Sequence, residues 1–511
     1  MSGPREHEIG TFCLVLHTHL PWLPHHGRWP VGEEWLYQAW AGSYLPLVRV
    51  LDGLAAEGRR DLVTLGVTPI LADQLDDPYC VEAMGAWLAD WQLRATKVAA
   101  SDPDPAVREL ARGEFRSAAQ ALEEWSTGWR VGGSPRWRAL ADAGAIELLG
   151  GPATHPVLPL LETDVARIAL AVGLDDARSR FGSAPAGIWA PECGWQPGLE
   201  KLYAEAGIGH LVMDEETLAG RTTSRGHRLG DTDVVAFGRD LSITNRIWSS
   251  RAGYPTGPYY RDFHAVHPVD GLRLWRVTGP GSEKAPYEPA SAAASIERDA
   301  HDFVDHVRAK LAQVAARDGR PGLVVAAYDT ELFGHWWHEG PAFLDRVLRL
   351  LPEAGIRLNT LRGAVEAGLV ADEPVLPPAG TWGAGKDFRL WAGDAVGELL
   401  ADGTHVQKRL LGVLEHELSA GRLRSRRTDL DQLVRETLMH LSGDWAFMIS
   451  RDQAPDYAWR RSAGHRDAVH WIADAIGRGL EDGVAAARAV ANGGAPFPHL
   501  DARSLVDVLN R

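Results

Sequence analysis

The sequence predicts an α/β fold: a distorted (β/α)7-type barrel with an inserted helical subdomain and a C-terminal all-helical domain. Two patterns carry this reading. Short apolar or β-branched runs end abruptly in polar residues and alternate with longer amphipathic stretches rich in Ala, Leu, Arg and Glu, as β/α units do. Two long stretches then break that rhythm with helical periodicity and no strand signal.

The expected strands are Thr11 to Leu16 running into His17 and His19, Leu62 to Val67, Ala145 to Leu149 and Ala186 to Trp189. They continue with His210 to Met213 ending at Asp214, Asp233 to Phe237, Leu272 to Val277, and Leu323 to Ala327 ending at Tyr328 and Asp329. The polar residues fall just past the strand C-termini, where a parallel barrel builds its active site from the following loops. Residues 1–80 and 145–370 are therefore expected to form the barrel, and 81–144 the inserted helices. A passage rich in Pro and Gly (Pro374, Pro377, Pro378, Gly380, Gly383, Gly385) then leads into a helical domain over 371–511.

With 511 residues, 45% hydrophobic and 24% charged, the chain can bury a large core and more than one folded unit. The apolar run Phe12 to Leu16 is far too short for a signal-peptide core or a membrane span. Cys13, Cys80 and Cys193 show no paired spacing that would suggest a disulfide framework or a zinc site, so a cytoplasmic location is expected. The net charge of -15 argues against a nucleic-acid partner, and the one dense basic run, Arg422 to Arg427, reads as a solvated helix end or loop. Trp, at 20 residues, is in excess. A flat amphipathic ring suits stacking on the apolar face of a sugar.

Chemistry concentrates in two segments. Ala327 to Gly340, AYDTELFGHWWHEG, crowds one Asp, two Glu, two His and two Trp around a strand end. Taken singly, Trp336 and Trp337 fit a core and Glu331 a helix N-terminus; together they read as a site. Gly187 to Pro197, GIWAPECGWQP, places Glu192 after a short strand among Trp189, Pro191 and Trp195. A carboxylate in such an aromatic, partly dry pocket suits glycoside chemistry, as nucleophile or as an acid of raised pKa. His17 and His19 share one face of an extended strand. They could bind a metal, as in deacetylases built on related barrels, but no further ligand set accompanies them. We read His17, His19 and His155 as hydrogen-bonding groups around the sugar.

The two chemical segments resemble the catalytic blocks of glycoside hydrolase family 57. Three more blocks agree in order: His17-Thr18-His19-Leu20-Pro21, Ala153-Thr154-His155 and Gly380 to Trp391 (GTWGAGKDFRLW). The resemblance implies Glu192 as nucleophile and Asp329 as general acid/base of a retaining mechanism, with no cofactor and no metal. It further implies glucan contacts from Arg239, Trp248 and Gly253, from the stacking residues Trp382 and Trp391, from Asp444 in SGDWAF, and from Trp35 in EEWLYQAW. The second and fifth blocks resemble the branching-enzyme branch. That implies cutting of α-1,4 linkages and formation of α-1,6 branches in glycogen, amylose or a related glucan, with an α-glucan hydrolase or 4-α-glucanotransferase as the alternative. One departure stands out. Branching members carry a long loop with a Tyr near its tip after the strand that here ends near Met213, whereas Asp214 to Val234 is short and has no Tyr.

Overall fold

The computed structural model describes residues 8–279, 281–491 and 494–509. Among the described residues nine strands run in chain order: β1 (Gly10–Thr18), β2 (Val63–Val67), β3 (Ile146–Leu149), β4 (Gly187–Ile188), β5 (His210–Asp214), β6 (His227–Arg228), β7 (Val235–Arg239), β8 (Leu323–Asp329) and β9 (Ile356–Leu358). One sheet has the order β3-β2-β1-β8 and the other β4-β5-β7-β6. Two seams join them. Gly150 bridges Ile188 in parallel, and the Asp240 N–H donates to the Val325 carbonyl at 2.8 Å. The result, among the described residues, is a ring of seven parallel strands, β1 to β5 with β7 and β8. β6 is an antiparallel appendage on β7, and β9 shares with β2 one edge of β1.

Period-2 alternation decides what each strand residue meets. On β1, Phe12, Leu14 and Leu16 point outward into the core shared with the surrounding helices, while Cys13 and Val15 point inward against Val325, Ala327, Val212 and Phe237. Both faces are buried, so β1 reads as a continuous apolar run. Extending the inward series by one step brings His17 to the barrel mouth on β1 and Asp329 on β8, and these two residues are register partners. The same series reaches Arg239 on β7 after Val235 and Phe237, and Asp214 on β5 after Val212.

One expected strand is absent: Leu272 to Val277 makes only isolated bridges and does not join the barrel. Its alternation is real, but Leu272 and Leu274 bury their shared face against Ala95, Val98, Val107 and Ala111 of the helices Pro78–Ser101 and Pro105–Glu124. Beyond residue 396 the described residues form helices joined by loops, with no strand among them. Its long helices Gly397–Ser419, Thr428–His440 and Pro455–Arg478 pack around Leu410, Leu414, Leu433, Val434, Val469 and Ile472. The basic run lies between the first two of these and is largely paired: Arg427 is buried against Glu417 and Asp429, Arg422 binds Glu417 and Arg426 binds Asp431.

Candidate active site

A cavity of about 880 Å³ opens at the C-terminal mouth of the barrel and is walled on one side by the helical region. His17, His19, Trp35, His155, Glu192, Arg239, Trp248, Asp329, Trp382, Trp391 and Asp444 all line it. Gly253 does not. It serves the backbone: a Cβ there would lie 2.3 Å from the Ile247 carbonyl oxygen and 2.6 Å from that of Ser249, so glycine lets the chain fold tightly behind the helix Leu241–Trp248 that presents Trp248. Six of the 20 tryptophans face the cavity, namely Trp29, Trp35, Trp248, Trp336, Trp382 and Trp391. Adjacent indoles divide the labour after β8, with Trp336 at the cavity and Trp337 in the core.

Glu192 sits in the turn Pro191–Cys193 after β4 with φ 60°, and Cys193 follows at φ 50°. Two successive left-handed non-glycine residues are a costly local conformation, of the kind held at functional sites by surrounding structure. The surroundings supply the hold. The Trp382 indole N–H donates to Glu192 Oε2 at 2.8 Å, the Trp382 backbone N–H donates to the Glu192 carbonyl at 2.9 Å, and His155 Nε2 lies 3.5 Å from Glu192 Oε1. Trp382 is itself steadied by the Arg239 guanidinium, 4.9 Å from its ring centroid. Arg239 and Lys386 both bind the buried Asp214, at 2.7 and 2.9 Å.

Asp329 lines the same cavity. Burial, then the carboxylates of Glu331 and Glu192, push its carboxyl well above the usual range, with only Arg239 opposing. That direction suits a group that donates a proton. Glu331, two residues on, accepts from the His19 backbone N–H at 3.2 Å and from the Tyr44 hydroxyl at 2.6 Å. Burial raises it to about 7 despite those donors.

The three histidines form a stack rather than a convergent set. Ring centroids are 3.9 Å apart for His19 and His155 and 4.9 Å for His17 and His155, and His17 rests on Trp189 at 4.4 Å. Burial and then its histidine neighbours hold His17 well below the ordinary value, and burial and then His19 lower His155. His19 behaves oppositely. Burial opposes its charge, but Asp444, 3.0 Å from Nε2, outweighs burial and raises it. Its other nitrogen meets Thr68 Oγ1 at 3.0 Å, and Ser442 donates to Asp444 at 2.6 Å. This chain of contacts ties β1 to the helix Gly443–Ser450.

Sequence reasoning passed over Asp214, Lys386 and Trp189 as site residues and left Glu331 ambiguous. Asp214 and Glu331 did show a signal, each being polar at or just after a strand end. Trp391 departs from its expected surface role. It is only 3% exposed and packs beneath Gly383, giving the cavity floor rather than an open platform.

A glycosyl hydrolase family 57 model matches residues 13–375. The chain belongs to glycosyl hydrolase family 57. A second model, described as the C-terminal region of 1,4-alpha-glucan branching enzyme, matches residues 404–504. Among family relatives, a probable 1,4-alpha-glucan branching enzyme of Mycobacterium tuberculosis is 48% identical, covering 97% of this chain and 98% of that protein. A 1,4-alpha-glucan branching enzyme of Thermococcus kodakarensis is 31% identical, covering 93% and 75%. The crystal structure of a family 57 branching enzyme from Pyrococcus horikoshii superposes with a TM-score of 0.92 at 29% identity over 97% of both chains.

Proposed function

We infer that this chain is a 1,4-α-glucan branching enzyme. The observation that carries the reading is that Glu192 and Asp329, whose carboxyl burial and two carboxylate neighbours push up, line one Trp-rich cavity. In the reaction we propose, a Glu192 carboxylate oxygen attacks the anomeric carbon while Asp329 gives its proton to the departing glycosidic oxygen, leaving a glycosyl ester. Asp329, now ionised, then takes the proton of a glucan 6-hydroxyl as that oxygen displaces Glu192, so the anomeric configuration is retained and an α-1,6 branch forms. In this reading residues 1–80 and 145–370 carry the chemistry, 371–511 complete the cavity wall, and 81–144 flank the barrel. The substrate class is α-glucan, with glycogen-like polymers in the cytoplasm as the physiological setting we favour.

Incubating the protein with amylose and following the product by proton NMR tests the reading. New α-1,6 anomeric signals without a matching rise in reducing ends are expected; reducing ends alone would overturn it. The same spectra give the hydrolysis share. This matters because the Asp214 to Val234 interval is short, and a loop that screens the ester from water would set the balance between transfer and hydrolysis.

Two further outcomes follow from the geometry. Trp382→Phe keeps the ring but removes the donor to Glu192, a hydrogen bond to a charged group. Turnover should fall roughly 10- to 100-fold with little change in KM, and steady-state kinetics on amylose reads this directly. In Glu331→Gln a negative neighbour of Asp329 is removed, so the Asp329 pKa falls toward its ordinary value. Because the protonated form is the active one, the alkaline limb of kcat/KM should move to lower pH; a limb that stays in place would show that Glu331 does not act on Asp329.

A further inference from the structure

A second cavity of about 500 Å³ lies on the C-terminal helices, separated from the first by shared segments. Leu20, Pro21 and Trp29 line the active-site cavity, while Trp22 and His26 of the same stretch line the second. Likewise Gln453 and Ala454 face the first, and the helix Pro455–Arg478 that follows them faces the second. The Arg461 guanidinium donates to the Trp22 carbonyl at 2.6 Å and joins the two walls.

That helix exposes Arg460, Gly464, Asp467 and Trp471 to the cavity, spaced i, i+4, i+7 and i+11. Such spacing makes one continuous stripe, about 16 Å long at 1.5 Å per residue. Trp471 is 49% exposed, an indole face left to solvent beside donors and acceptors. At Gly464 the helix backbone between Arg460 and Asp467 is left bare, and a Cβ there would meet nothing within 4 Å.

We propose that this second cavity is a non-catalytic holding site for the α-1,4-glucan, stacking a sugar on Trp471 and bonding its hydroxyls to Asp467 and Arg460. The proposal rests on the branching reading for its ligand class. An aromatic face flanked by both a carboxylate and a guanidinium matches a sugar ring, whose apolar face stacks and whose hydroxyls both donate and accept. A polymer held here while another stretch occupies the neighbouring cavity gains effective concentration without any new catalytic contact.

Affinity electrophoresis of the full chain in gels containing glycogen tests this. Trp471→Ala removes the platform, and Gly464→Gln fills the gap without deleting any contact, so the second variant keeps the test sharp should the first fold poorly. Each should weaken the apparent affinity for glycogen roughly 3- to 10-fold, the scale of one aromatic stacking contact, and raise KM for long amylose while leaving turnover of maltoheptaose unchanged. Retardation equal to wild type in both variants would overturn the proposal. So would a change in oligomeric state by sedimentation without a change in retardation, which would make the face a contact for a second copy of the chain. Retardation reads binding whether or not α-1,6 product forms, so failure here and failure of the branching reading are distinguishable.

Discussion

Glu192→Ala should lose activity on amylose by a factor on the order of 10⁴ or more, as removal of a covalent nucleophile does when its partners act as a unit. Small external nucleophiles should then restore turnover. The truncated side chain leaves room beside Trp382 Nε1 and His155, the groups that hold the carboxylate in place, and azide can attack the anomeric carbon from that side. Direct attack is a single displacement, so the glycosyl azide has inverted configuration. Its stereochemistry by NMR is the deciding measurement. A retained azide product from this variant would mean that the two carboxylates have exchanged roles.

The barrel was legible because its inner strands bury both faces and its chemical groups interrupt apolar runs at one end. His17, Asp329, Arg239 and Asp214 are all the next inward step of an alternation already visible in the sequence. Alternation is silent about what covers the buried face, and Leu272 to Val277 shows the consequence: two inward leucines were real, but helices rather than strands received them. Gly253 illustrates a second limit: a glycine needed for close backbone approach has the same sequence appearance as a ligand contact. What no local pattern could reveal is the long-range wiring. Glu192 is held by an indole 190 residues away, in the Pro- and Gly-rich passage, and His19 by a carboxylate 425 residues away in the helical region, pairings made when both segments fold over the barrel mouth.

Asp329→Ala should separate the two chemical steps, and its expected behaviour follows from the environment of that carboxyl. Burial, Glu331 and Glu192 together push the Asp329 carboxyl up, which favours its role as the acid of the first step; once ionised it serves as the base of the second. General acid help is worth roughly 10²- to 10⁴-fold, and amylose, whose leaving oxygen must be protonated, should show that full loss. An aryl glycoside with a good leaving group needs no proton. Its first step should survive, and the glycosyl ester on Glu192 should accumulate as a burst because no base remains to activate the acceptor. Azide, which requires no deprotonation, should relieve the block, and two successive displacements give net retention. Burst amplitude, leaving-group dependence and azide stereochemistry are three independent readouts. Loss of activity in equal measure on aryl glycosides and amylose, with no burst, would assign Asp329 to substrate positioning and would require another group to carry the proton.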